Sequence, residues 1–154
     1  MTPKKLFNTF AKAEAVTWTL LIGALVARGL GVDSVVVTAA GGTHGAVFLG
    51  YAVTAGLVAV NQRWALGKTV LAVALAIVPF ATIPFEIKLN KDASLVGPWR
   101  VAAGTDPRDA HWFDRLFRWF IARPLVLILT LLVALTAVFS FLLALGSPTE
   151  WFKS

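Results

Sequence analysis

The chain has 154 residues, of which 58% are hydrophobic and only 14% charged, with a net charge of +6 and a mean hydropathy of +0.77. Soluble domains average roughly 45–50% apolar and about 25% charged residues, so too little polar material is present to cover a water-facing surface. This excludes a cytosolic enzyme and a disordered tail, and leaves one small all-α integral membrane protein.

A bilayer span needs about 20 mostly apolar residues, and four stretches qualify. The first covers residues 10–26, and Arg28, Gly29 and Gly31 break it before a turn at Asp33 and Ser34. Lys12 and Glu14 interrupt its start, so it reads as an uncleaved span and not a signal peptide. The second covers residues 35–60 and stops at Asn61, Gln62 and Arg63. The third runs over residues 66–85, with Pro79 and Pro84 near its end and Glu86 at its margin. Residues 90–107 are rich in Gly, Pro and charge and read as loop.

From residue 109 to residue 121, Trp112, Phe113, Leu116, Phe117 and Phe120 recur at helical spacing. Asp114, Arg115 and Arg118 fall on the other side, and Trp119 lies off the main stripe. This is the pattern of an amphipathic helix lying in the headgroup plane and offering aromatic and Arg anchors to lipid or a partner. The fourth span, residues 124–145, is free of charge, with Pro124 at its start and Gly146 and Pro148 at its stop. The expected organisation is a three-span core (1–89), a loop and interfacial helix (90–123), and a fourth span with a short tail (124–154). Of the six tryptophans, Trp64, Trp99, Trp112, Trp119 and Trp151 flank spans or sit in the interfacial segment, as indole prefers; only Trp18 is mid-span.

With four spans, Lys4, Lys5, Lys12, Arg63, Lys68 and Lys153 share one side. Arg28, Lys88, Lys91, Arg100, Arg108, Arg115, Arg118 and Arg123 share the other. The short loops around the first two spans favour cytoplasmic termini in a bacterial inner membrane, whereas the basic third loop argues the reverse. The basic residues sit between apolar runs, with no groove-reading motif, so nucleic acid is not an expected partner. Cysteine is absent, which removes disulfides and thiolate metal sites. No nucleotide-binding, zinc-protease or hydrolase motif is present, and neither an enzyme nor a cofactor is expected.

Four polar residues stand out within or beside the spans. Glu14 lies early in the first span, His44 and Tyr51 share a face of the second, and Glu86 ends the third. Ionisable groups inside a membrane need partners and are functional candidates. Antiparallel pairing of the first two spans brings Glu14 near Tyr51, or near His44 with modest tilt. The second span also carries Gly41, Gly42, Gly45, Ala46 and Gly50 at the small-residue spacing that lets helix backbones approach closely.

The string Thr43-His44-Gly45-Ala46-Val47-Phe48-Leu49-Gly50-Tyr51 resembles the HGxxFxxY signature of an uncharacterised family of small bacterial, largely actinobacterial, integral membrane proteins. Ala13-Glu14-Ala15, Arg63-Trp64 and Pro79-Phe80-Ala81-Thr82 leading to Phe85-Glu86 are similar to it as well. The resemblance covers roughly the first 90 residues and implies a three-span core with Glu14, His44, Tyr51 and Glu86 in one polar constellation; the rest is an extension. It brings no activity with it. Two functions fit these features. One is an accessory subunit or assembly factor bound to other integral membrane subunits, for which a respiratory-chain supercomplex is one host. The other is a small proton-coupled transporter or ion pathway using Glu14 and His44.

Overall fold

The computed structural model describes residues 1–144, and every regular element among them is helical. α1 is Pro3–Gly29, α2 is Val35–Gln62, α3 is Leu66–Ala74, α4 is Thr82–Lys91, α5 is Trp112–Ile121 and α6 is Pro124–Ala144. The chain divides into two compact units, residues 1–99 and residues 100 onward.

In the first unit, α1 begins on a cap: the Thr2 hydroxyl accepts the Lys5 N–H at 3.2 Å, and Pro3 occupies the first turn, where no N–H is needed. It ends at Gly29, and the turn that follows passes through Gly31, whose φ of +93° suits a residue without Cβ. The Asp33 carboxylate then accepts the Val35 N–H at 2.8 Å and starts α2. Helices of 27 and 28 residues reach about 40 Å at 1.5 Å per residue, and both are long and apolar enough to cross a bilayer. They pack antiparallel: Phe7 meets Tyr51, Phe10 meets Gly50, Thr17 and Trp18 meet His44, and Leu21 meets Gly41.

The expected third span is two short helices. α3 has 9 residues and passes into a 3-10 turn, Leu75–Ile77, giving about 20 Å of helix against a hydrocarbon core of about 30 Å. Pro79 supplies no N–H to continue it. Val78 is extended, Phe80 takes a left-handed φ of 63°, and α4 starts at Thr82 with Pro84 inside its first turn.

The chain then doubles back. On the way out, the Tyr51 hydroxyl donates to the Ala72 carbonyl and the Trp18 indole donates to the Ala76 carbonyl. On the way back, Thr82 donates to the Ala11 carbonyl and Asn90 reaches Asn8. Finally Trp64 and Lys68 donate to Ser94, and Trp99 donates to the Met1 carbonyl. α3 and α4 thus form a helical hairpin with its tip near the middle of α1 and both ends beside the N-terminal end of α1. Lys88 and Lys91 fall at that end, with Lys4, Lys5, Arg63 and Lys68, and not beside Arg28 as a third span requires. The core lies at the same end, around Phe7, Tyr51, Val58, Phe85 and Leu89.

In the second unit, Arg100 and Gly104 of the expected loop join Asp109 and Asp114 of the expected helix in a charged knot. Arg100 donates to Asp109 at 2.9 Å and to Asp114 at 3.0 Å, and the Asp109 carboxylate also accepts the Gly104 N–H at 2.7 Å. α5 leaves this knot, and α6 follows at 105° to it. A near right angle fits an in-plane helix followed by a crossing one. The 21 residues of α6 reach about 31 Å, the thickness of the hydrocarbon core. Gly146, Pro148, Glu150, Trp151 and Lys153 lie outside the described residues. Two helices pass as membrane-crossing by length and composition, or three when α5 and α6 are counted as one bent span; four spans were expected.

Candidate intramembrane polar site

The α1–α2 register decides what meets Glu14. Glu14 and Thr17 are one turn apart on the buried face of α1, and His44 projects from α2 at the same level. The Glu14 side chain is fully buried, and its Oε2 lies 3.8 Å from His44 Nδ1. That is too long for a hydrogen bond. Neither Glu14 oxygen has a hydrogen-bond partner among the described residues. The expected approach of Glu14 to His44 is formed, while no hydrogen bond joins Glu14 to Tyr51. The Tyr51 hydroxyl is taken by the Ala72 carbonyl at 3.1 Å, because Tyr51 lies about a turn closer to the N-terminal end of α1 and faces α3.

Thr17 couples the two helices. Its hydroxyl lies 3.1 Å from the Glu14 carbonyl and 3.0 Å from His44 Nδ1. A hydroxyl has one proton and can donate only once. When Thr17 donates to its own helix, His44 must carry its proton on Nδ1; when it donates to His44, that proton sits on Nε2. Trp18 covers the imidazole with ring centroids 4.5 Å apart, while its N–H at 3.2 Å holds the Ala76 carbonyl at the hairpin tip. The one mid-span tryptophan is therefore a wall of this site.

Glu86 is buried but keeps different company. Asn90 Nδ2 donates to the Glu86 carbonyl at 2.9 Å and approaches Glu86 Oε1 at 3.3 Å and Asn8 Oδ1 at 3.4 Å. Between this group and Glu14 sits Thr82, buried and bonded to the Ala11 carbonyl. The structure thus joins Glu14 to His44, ties Tyr51 to α3, and places Glu86 nearer the N-terminal end of α1. Thr17, Trp18 and Asn90 were missed from sequence as site residues, and Thr82 was visible only as part of the Pro79-Phe80-Ala81-Thr82 string. For Thr82 and Asn90, the signal was the spacing Thr82, Glu86, Asn90, which is one helical face once a helix starts at residue 82.

The small residues of α2 divide into two faces. Gly50 packs under the Phe10 ring and Gly41 lies 4.0 Å from Leu21, so both serve the α1–α2 contact. Gly42 and Gly45 have nothing within 4 Å, and Ala46 is exposed beside them. In the second unit, Trp112, Phe113, Leu116 and Trp119 are exposed along α5, Arg115 is exposed too, and Phe120 is half-buried. Phe117 and Arg118 are not part of that surface. Phe117 is buried with the Arg100 guanidinium 5.8 Å from its ring centre, and Arg118 turns inward to the Asp109 carbonyl at 2.8 Å. A buried guanidinium needs a charged partner, and Asp109 supplies it.

A Streptomyces coelicolor protein named "Putative membrane protein SCO5905" is 34% identical over 94 residues, which cover 60% of this chain and 11% of that protein. The chain therefore spans about a ninth of the length of that relative. No solved structure matches it. The segment holding the Glu14–His44 pair, the hairpin and the glycine-rich α2 is also the segment that a family model recognises. Over residues 4–91 the match is to the family described as a domain of unknown function, DUF3817, and the chain belongs to that family of membrane proteins.

Proposed function

We propose that this protein is a non-catalytic accessory or assembly subunit of a larger membrane complex, and that it docks through α2. The observation that carries this is the open small-residue face at Gly42, Gly45 and Ala46. In a bilayer, apolar side chains gain little by leaving lipid, so helices associate where small residues let backbones come close. Such a face turned away from its own bundle fits a transmembrane helix of another subunit. The Streptomyces coelicolor relative supports this reading, since there the matching segment is a small part of a much longer membrane protein. The exposed aromatic face of α5 is a second anchor, to lipid headgroups or to the same partner. Mild-detergent pull-down from native membranes tests the proposal, and a respiratory-chain supercomplex of the bacterial inner membrane is the first host to look for. Integral membrane subunits are expected to co-purify, and Gly42→Leu or Ala46→Leu to release them without loss of fold. Recovery of the free protein alone, or retention by both variants, refutes it.

One observation favours a second reading, a small proton-coupled transporter or ion pathway. Among the described residues, both oxygens of the fully buried Glu14 lack hydrogen-bond partners beside His44, and intramembrane acids of this kind mark proton relays and ion paths. This reading expects flux in proteoliposomes that Glu14→Gln and His44→Ala abolish. Equal flux in wild type and variants removes it.

A further inference from the structure

We infer that the seam between α1 and α4 is a proton-access path, leading from the N-terminal end of α1 to the Glu14–His44 pair near mid-bundle. It deepens the second reading above by naming the route, but it requires exchange of a proton and not net flux. Thr82, Glu86 and Asn90 recur every fourth residue on α4 and so form one polar edge. Thr82 and Glu86 are buried and Asn90 is half-buried, whereas Lys88 lies on the exposed side of α4. α1 answers them with Asn8, the Ala11 carbonyl and Glu14.

The unsatisfied atoms mark the same line. Among the described residues, the buried side-chain oxygens without a hydrogen-bond partner are both oxygens of Glu14 and Oδ1 of Asn90. Buried polar atoms are nearly always bonded to protein or to water. Three unbonded atoms on one seam, at its two ends, are the pattern of a path that water enters. The hairpin makes this possible: its break puts the start of α4, with Thr82, beside the turn of α1 that precedes Glu14. Irregular backbone at membrane depth is tolerated where it lines such a path.

The chemistry needs only water as co-reactant. A hydronium ion at the Asn8–Asn90 end gives its proton to a Glu86 carboxylate oxygen, forming an O–H bond and releasing water. Glu86 passes a proton to a water at Thr82, which passes one to a Glu14 oxygen; at each step one O–H bond breaks and one forms. At Glu14 the proton forms an O–H bond on the carboxylate and takes the Glu14–His44 pair from a net charge of −1 to neutral, and the reverse steps return a proton outward, so exchange leaves no net charge behind. The other titratable neighbours are Tyr51, which is bonded to Ala72, and Lys12, which is exposed on α1.

Infrared spectroscopy of the full chain in liposomes tests this without any flux. The neutral carboxyl band of Glu14 is assigned by its loss in Glu14→Gln, with Glu14→Asp retaining an acid band should the amide fail to fold. Transfer to D2O then shifts that band as O–H becomes O–D, and the rate of the shift is read. Glu86→Gln and Thr82→Val are each expected to slow it about tenfold or more, and Glu86→Asp to restore most of the rate. Thr43→Val, exposed on α2 and off the seam, is expected to leave it within about twofold. No band that depends on Glu14, or equal rates in wild type, Glu86→Gln and Thr82→Val, overturns the inference. Absence of flux with seam-dependent exchange removes only the transport reading.

Discussion

The two glycine faces of α2 make opposite demands on the same substitution. A Cβ on Gly50 would run into the Phe10 ring, whereas a Cβ on Gly42 would enter open space. Gly→Ala recovers up to about 1 kcal/mol of helix propensity at either site, and that term cancels when the two variants are compared. What remains is overpacking at Gly50, typically about 1–3 kcal/mol where a neighbour must leave its position. Phe10 packs against the core cluster of Phe7 and Tyr51, so its displacement loosens the α1–α2 contact. Gly50→Ala should therefore unfold at lower SDS fraction in mixed micelles than Gly42→Ala, by that difference, when followed by far-UV circular dichroism. Adding Phe10→Ala to Gly50→Ala should abolish the clash and bring the two sites to the same propensity gain relative to the Phe10→Ala background. Equal stability of Gly50→Ala and Gly42→Ala would refute the register of the helix pair.

Tyr51→Phe removes the hydroxyl from the buried Ala72 carbonyl. It should cost about 1–3 kcal/mol, the penalty of an unsatisfied buried group, seen as faster amide exchange in α3. Asp109→Ala leaves Arg118 buried without its carboxylate, leaves Arg100 its Asp114 contact but not the Asp109 one, and removes the acceptor of the Gly104 N–H. Removing one partner of a buried pair costs about 3–5 kcal/mol, so α5 should lose protection from hydrogen exchange while α1 and α2 keep theirs. The chain has no cysteine, which makes single-cysteine labelling clean. With a membrane-impermeant maleimide on vesicles of one orientation, Lys4→Cys and Val96→Cys should label from one side and Ser34→Cys from the other. Labelling of Val96→Cys together with Ser34→Cys would restore a full third span and refute the hairpin.

The helix limits were legible where local chemistry sets them. Gly31 and Asp33 mark the α1–α2 turn, Arg63 the end of α2, and Pro124 the start of α6, and each signal acts within one turn of helix. The α3–α4 hairpin was not legible, because a mean of apolar residues over 66–85 is the same for a span and for a chain that folds back on itself. What separates them is the partner of each residue. Thr82 bonds to Ala11 and Ser94 receives Trp64 and Lys68, contacts between positions far apart in sequence. The same limit applies to the site. Glu14 and His44 were visible as costly groups in an apolar run, but antiparallel pairing alone left Tyr51 and His44 both open as partners of Glu14. The place of Glu86 depends on the direction in which α4 runs. In a continuing span it would lie at the far end of the bundle from the N-terminus. In the hairpin it returns toward Asn8, and the polar edge of α4 is laid along α1 below Glu14. One left-handed residue, Phe80, and the proline before it therefore do more than end a helix. Within residues 1–99 they decide from which end of the helix pair the buried acid is approached, and they return Lys88 and Lys91 to the end that holds Lys4, Lys5, Arg63 and Lys68. Labelling of Lys4→Cys and Val96→Cys from one side of the membrane, with Ser34→Cys from the other, is the form the result should take.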